Sequence, residues 1–244
     1  MSSNQAITLT YFKGWGLAEQ CRWVLASHPS SSSFENICLS TYDEFDSLLS
    51  SGELLFGQLP LLSIDGMKLV QSQTLVRYVA KRNDMQGGGI KGQARADMVA
   101  ELVKDVRLGV VKWPFSEDKK EHLNTIVYPL LNRWLPVLER VLISGGGYAS
   151  GEGSLCYADV LIGEVLQAYG EMFASLSGTF EDVFESEGGF VFEHLKKCHQ
   201  EVVNIKGVKE YLESERRWPF PAEGDICDSY VENVKEVLGR NRGK

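Results

Sequence analysis

Apolar positions alternate in part from Ile7 to Phe12, a run rich in β-formers, and this pattern predicts a strand. Leu17, Cys21, Val24 and Leu25 then recur at helical spacing. Phe34 to Leu39 predicts a second strand, and Tyr42 to Leu49 an irregular helix. Leu61, Leu62 and Ile64, followed by Asp65-Gly66 and then Leu69 and Val70, give a strong hairpin signal: two short strands around a two-residue turn. Leu75, Val76, Val79 and Ala80 continue as a helical stripe, which Ser72 can N-cap.

This order, β-α-β, helix, hairpin, helix, predicts a thioredoxin-like α/β N-terminal domain over residues 1–85. Gln86-Gly87-Gly88-Gly89 reads as a linker. Beyond it the pattern is helical almost throughout, predicting an all-α domain over residues 91–244. Met98, Leu102, Val106 and Val110 recur every four residues, and Leu130 to Leu142 forms another stripe that Pro129 and Pro136 should bend. Leu155 to Val160 reads as a helix start with Cys156 at the cap, Asp159 three residues on, and a Leu155–Val160 staple. Cysteine is a weak acceptor, so this cap should be poorer than Ser or Thr by about 1 kcal/mol. Gly178 to Gly189, polar and glycine-bearing, is expected to be a mobile loop. Val231, Val234, Val237 and Leu238 predict a short amphipathic last helix.

Composition narrows the function. The net charge of −8 argues against nucleic acid as a general partner. No apolar run reaches membrane-spanning length, and the N-terminal residues lack the features of a signal peptide. The five cysteines are scattered without a C-x-x-C pair, so reduced thiols, a cytoplasmic location and no structural metal are expected. His194 and His199 flank Cys198 at a spacing poor for metal ligation.

The hairpin carries the chemistry. Pro60 opens a strand where its missing N–H costs little, and Leu59-Pro60 is a candidate cis bond. That geometry would turn the Leu59 backbone outward to pair with an extended peptide. Gln71-Ser72 stands at a helix start, whose free N–H groups attract a carboxylate. Together these can form a pocket for a small acidic peptide. The same residues equally fit an ordinary hairpin–helix connection, and Tyr11 taken alone is an aromatic residue in a strand.

Gln58-Leu59-Pro60, Ile64-Asp65-Gly66, Gln71-Ser72 and the segment Leu9-Thr10-Tyr11-Phe12 with Glu19 and Arg22-Trp23 resemble the cytosolic glutathione transferases. The tyrosine-dependent branch (alpha, mu, pi and sigma classes) is most similar, alpha nearest, over roughly residues 5 to 220. The resemblance implies a glutathione transferase fold, glutathione as co-substrate, and Tyr11 as the hydrogen-bond donor that activates its thiol. It implies that Gln58 contacts the glycyl end, that Leu59 and Pro60 meet the cysteinyl unit, and that Gln71 and Ser72 hold the γ-glutamyl carboxylate. It implies a homodimer in which Phe56 is an aromatic key between two helices of the other subunit. Asp105 would then reach the partner's γ-glutamyl amine, and Arg133 would stand at the same end of the site. Phe12, Trp15, Trp113 and Phe115, with the last helix, are expected to line the electrophile pocket. The residues alone leave Asp105 and Arg133 readable as surface charges, Phe56 as a core phenylalanine, and the last helix as a simple docking element.

Two positions depart from the family pattern. The alpha class usually has an arginine where this chain has Trp15, which is expected to touch glutathione and line the pocket without supplying charge. Leu49 stands where Lys or Arg often binds the glycyl carboxylate, beside the acidic Asp43, Glu44 and Asp46. Tyr42 or Phe45 can replace the aromatic residue of that loop. The expectation is an enzyme: a detoxifying transferase conjugating glutathione to small hydrophobic electrophiles. The alternatives are a non-catalytic ligand-binding or structural protein of the same fold, or a glutathione-dependent isomerase or peroxidase.

Overall fold

The computed structural model describes residues 6–176, 178–185 and 189–240. Four strands form one mixed sheet in the order β2-β1-β3-β4: β1 (Ile7–Phe12), β2 (Phe34–Leu39), β3 (Leu61–Ile64) and β4 (Met67–Val70). β1 and β2 pair in parallel, which requires a crossover connection, and α1 (Glu19–Ala26) supplies it. β3 runs antiparallel to both β1 and β4. Asp65 and Gly66 both adopt positive φ at the hairpin turn, and the Asp65 carboxylate accepts from the Tyr78 hydroxyl and Arg82 Nε.

α2 (Tyr42–Ser50) begins with a capping box. The Glu44 carboxylate accepts the N–H groups of Ser40 and Thr41, so this member of the acidic loop is spent on the helix start. Those backbone bonds hold its pKa below the usual carboxylate range. Ser72 is the first residue of α3 (Ser72–Arg82); the cap position itself is Gln71, in the left-handed region with φ of 75°.

The helical part contains α4 (Ile90–Val106), α5 (Leu108–Lys112), α6 (Lys119–His122), α7 (Tyr128–Ser144), α8 (Tyr157–Ser175), α9 (Glu193–Val203), α10 (Lys206–Leu212) and α11 (Gly224–Val237). The buried face of α4 is Ala96, Val99, Ala100, Val103 and Val106, not the expected four-residue stripe; Met98 points outward, 71% exposed. A strict four-residue repeat drifts around a helix of 3.6 residues per turn, so the stripe could not stay on one face. Pro129 sits in the first turn of α7, after a π-helical stretch Leu123–Val127, and only Pro136 lies inside the helix. Glu139 on α7 is buried because it accepts the N–H groups of His194 and Leu195 at the start of α9.

α8 is buried on nearly every side, packing against α1, α4 and α9 among others; its sequence is mostly apolar, and its buried carboxylates Asp159 and Glu164 are both hydrogen-bonded. Its start follows the expectation: Asp159 accepts from the N–H of Cys156 at 2.8 Å and from that of Ala149 at 2.7 Å. The segment expected as a mobile loop is partly ordered. Phe180–Phe184 forms a 3-10 turn and Glu185 bridges to Val191, while the expected loop's residues 186–188 lie outside the described residues. Among the described residues no helix is long and apolar enough to cross a membrane.

α11 returns to the first half of the chain and packs against α2, β1 and the turn Trp113–Phe115. Asn233 fixes its register, accepting the Lys13 N–H at 2.8 Å and donating to the Leu39 carbonyl at 3.0 Å.

Candidate active site

The loop between β1 and α1 is held from below by α1. Arg22, fully buried and paired with Glu19 at 3.0 Å, donates to the carbonyls of Gly14 and Trp15. Glu19 also accepts from Trp23 Nε1 and the Tyr211 hydroxyl, so the carboxylate of the buried pair is held from α1 and α10, while Arg22 Nη2 has no hydrogen-bond partner among the described residues. Tyr11 ends β1 beneath this loop, 4% exposed, and its oxygen accepts the Leu17 N–H at 2.9 Å.

A groove of about 260 Å³ runs past this point, lined by Phe12, Leu17 and Phe45 on one side and Gln58, Leu59, Pro60, Gln71 and Ser72 on the other; Leu238 closes one edge. The hairpin residues singled out in the sequence therefore share one concave surface. The Leu59-Pro60 bond is cis. Gln71 Nε2 donates to Gln58 Oε1 at 2.9 Å. The left-handed Gln71 costs about 1–3 kcal/mol of backbone strain, which the surrounding packing must sustain. It stands at the start of α3, whose first N–H groups have no intrahelical partner, and both Gln71 and Ser72 line the groove.

A second cavity of about 350 Å³ lies on the other side of the loop, between Lys13, Gly14 and Trp15 and the segment carrying Trp218, Ile226 and Tyr230. Trp15 is 2% exposed and packs edge-on against Phe220 at 5.5 Å. Of the four residues expected around the electrophile, Trp15 lines this cavity and Phe12 lines the groove. Phe115 lines neither, packing on Tyr230 at 5.9 Å, and Trp113 is fully buried with its indole N–H on the Ala222 carbonyl. Asp105 and Arg133 are exposed and line neither cavity. The Arg133 guanidinium stacks on Trp134. Phe56 is 61% exposed beside the still more exposed Leu55. Leu49 lines neither cavity.

Three residues at the site had not been singled out from the sequence. Arg107, at the end of α4, stacks its guanidinium 4.1 Å over the Trp15 ring and donates to the Gly16 carbonyl at 2.8 Å. A cation is thus present against the loop after all, delivered by a different element. Its counter-ion is Glu164 on α8, which accepts from Nε and Nη2 at 2.9 Å. Its signal was a charge falling between Val103 and Val110 on an apolar face. The second is Tyr230, whose ring covers Gly14 and whose hydroxyl faces that of Tyr11. It completes the buried stripe Cys227, Tyr230, Val234, Val237 of α11. Leu238 is the third in place, although its apolar character had been noted. Burial pushes the Tyr11 phenol up, against the Leu17 N–H, Tyr230, Arg107 and Arg22, which all favour the anion.

Residues 7–81 match the family model of the glutathione S-transferase N-terminal domain, and residues 104–215 that of the C-terminal domain. The chain belongs to the glutathione S-transferase family. It is 34% identical over 233 residues to glutathione S-transferase alpha-5 of Rattus norvegicus, covering 94% of this chain and 97% of that one. It is 34% identical over 235 residues to glutathione S-transferase A3 of Mus musculus, with the same shares covered. Among solved structures it is similar to the Pi-class glutathione S-transferase of Onchocerca volvulus, with a TM-score of 0.70, 25% identity and coverage of 91% and 99%. It is also similar to the monomeric Na-GST-3 of Necator americanus, with a TM-score of 0.69, 26% identity and coverage of 86% and 98%. The thioredoxin-like first half and helical second half are those of this glutathione S-transferase fold, and the protein is an enzyme of this family with glutathione as co-substrate.

Proposed function

We propose that this glutathione S-transferase conjugates glutathione to small hydrophobic electrophiles, with the Tyr11 phenol donating to the glutathione sulfur. The observation that carries the reading is the placement of Tyr11 beside Phe12 and Leu17, the two residues through which the β1–α1 segment enters the groove shared by Gln58, Leu59, Gln71 and Ser72. A free thiol has a pKa of about 8.5, so little thiolate exists at neutral pH. A phenol donating to sulfur stabilises the anion, which then attacks an electrophilic carbon and displaces its leaving group. The γ-glutamyl carboxylate would sit at Ser72 and the open end of α3, with Gln71 alongside; the cysteinyl unit would pair with the Leu59 backbone beside Pro60, and Gln58 would meet the glycyl end. The electrophile would enter from the second cavity, whose Trp15, Trp218 and Ile226 walls suit an apolar body.

The exposed Phe56 and Leu55 support a homodimer in which Phe56 inserts into the partner and Asp105 and Arg133 act at the γ-glutamyl end across the interface. Five unpaired thiols suit a cytoplasmic setting and a detoxifying role there. A ligand-carrying role is the second reading, favoured by the burial of Tyr11 beneath Tyr230. Conjugation of glutathione to a chloronitroaromatic acceptor separates the two. Tyr11→Phe should lower turnover about a hundredfold with glutathione affinity little changed. Equal turnover in both proteins would remove Tyr11 from the mechanism. Glutathione binding without turnover in the wild type would favour the carrier, or a glutathione-dependent isomerase or peroxidase, which product analysis would reveal.

A further inference from the structure

The last helix delivers the Tyr230 phenol to the Tyr11 end of β1, and the loop is shaped to admit it. A Cβ at Gly14 would collide with the Tyr230 ring. A Cβ at Gly16 would lie 2.5 Å from the Tyr230 hydroxyl and 2.6 Å from that of Tyr11. The two phenols therefore converge over a spot that only glycine leaves open. The convergence is fixed from outside, because Asn233, one turn further along α11, is bound to the backbone of both Lys13 and Leu39.

The direction of the contact follows from counting donors and acceptors. A phenol has one proton to donate and accepts on oxygen. The Tyr11 oxygen already takes the Leu17 N–H. The Tyr230 hydroxyl lies against that of Tyr11, both within 2.6 Å of the point a Gly16 Cβ would occupy, and among the described residues it makes no hydrogen bond to any other group. If Tyr11 donated to Tyr230, the buried Tyr230 proton would be left without an acceptor, at a cost. If Tyr230 donates to Tyr11, both hydroxyls are used and the Tyr11 proton is free for a third group.

We infer that Tyr230 is a positioning residue for the transferase reaction: with the Leu17 N–H it occupies the acceptor sites of the Tyr11 oxygen and so directs the Tyr11 proton to the thiol. The inference rests on the reading of Tyr11 as the thiol's donor. It assigns α11 a chemical part besides closing the site. The titratable and charged groups around the pair are Arg107 from the end of α4, Arg22 from α1, and Cys38 opposite Tyr11 on β2. Both arginines favour an electron-rich Tyr11 oxygen, as the Tyr230 proton does; burial alone opposes them.

Tyr230→Phe keeps the ring over Gly14 and deletes only the hydroxyl. Two readouts test it: the pH profile of kcat/KM for glutathione, and ultraviolet difference titration of Tyr11, identified by subtraction of Tyr11→Phe. In Tyr230→Phe the Tyr11 titration and the acid limb of the profile should both move up by about one unit, with kcat/KM about tenfold lower near pH 6.5 and KM for glutathione little altered. Gly14→Ala, which displaces the ring, should move both in the same direction. A profile and titration that superpose on the wild type, or a faster Tyr230→Phe, would overturn the inference. Failure of the underlying reading looks different. Tyr11→Phe would then stay active, while the Tyr11 titration in Tyr230→Phe would still report whether the contact exists.

Discussion

Glu164→Gln tests whether the ion pair beneath the site is both a structural and an electrostatic element. The Arg107–Glu164 contact has two bonds of 2.9 Å, and the side chains are 3% and 0% exposed. Burial raises the Glu164 pKa, with Arg107 opposing it. Removing one charge of a buried pair strands the other, typically at about 3–5 kcal/mol. Glutamine keeps an acceptor oxygen in place, so the cost should lie near about 3 kcal/mol. With a urea slope of about 3 kcal/mol/M, the unfolding midpoint should fall by about 1 M. The second effect has the opposite character. Arg107 already opposes the burial of Tyr11, and without its counter-ion it does so more strongly, so the Tyr11 titration should move down while the protein becomes less stable. Replacing both residues by methionine should restore most of the stability, because the cost belongs to the unpaired charge. An unfolding midpoint within about 0.3 M of the wild type, or a Tyr11 titration that moves up, would refute the reasoning.

Three further outcomes are expected. His199, packed between Phe180 and Phe184 and bonded to Gln167 Oε1 at 2.8 Å, has its pKa lowered by burial to about 4. Between about pH 6.5 and 4 the unfolded chain takes up a proton that the folded chain refuses, so stability should fall on acidification through this window, by up to about 3 kcal/mol; His199→Gln should flatten the dependence in urea titrations at stepped pH. Asp159→Ala leaves the N–H groups of Cys156 and Ala149 buried and unpaired and should cost about 2–4 kcal/mol of unfolding free energy. Gly163→Ala would place a Cβ 2.7 Å from Val202 Cγ1 where α8 meets α9, so overpacking of about 1–3 kcal/mol should outweigh the gain in helix propensity, read as a lower melting temperature.

The elements of the first half were legible because each has a local cause. Asp65-Gly66 takes the positive φ angles its turn requires, Ile7 to Phe12 has β-formers on both buried faces, and Leu75, Val76, Val79 and Ala80 mark one face of α3. The groove was legible for a related reason: Gln58 to Pro60 and Gln71-Ser72 are joined by one hairpin, so its turn nearly fixes their distance. Helix existence in the second half was equally plain, but which face is buried was not. Met98 and Ala96 are both compatible with a helix, and only the neighbours of α4 decide that Ala96 turns inward.

The remainder of the site depends on contacts far apart in sequence. Tyr11 meets Tyr230, Trp15 meets Arg107, and Arg107 meets Glu164, and no local periodicity relates these partners. The sequence by itself determined a thioredoxin-like half with Tyr11 near the end of its first strand, a hairpin carrying the residues that line the groove, and a helical second half. Tertiary structure alone decided that α11 folds back to lay a second phenol on the first, and that the cation beside Trp15 comes from the end of α4. Hydrogen bonding and burial patterns act along the chain over a few residues, whereas the electrostatics of a buried phenol depend on every charge within a few ångströms, whatever its place in the sequence.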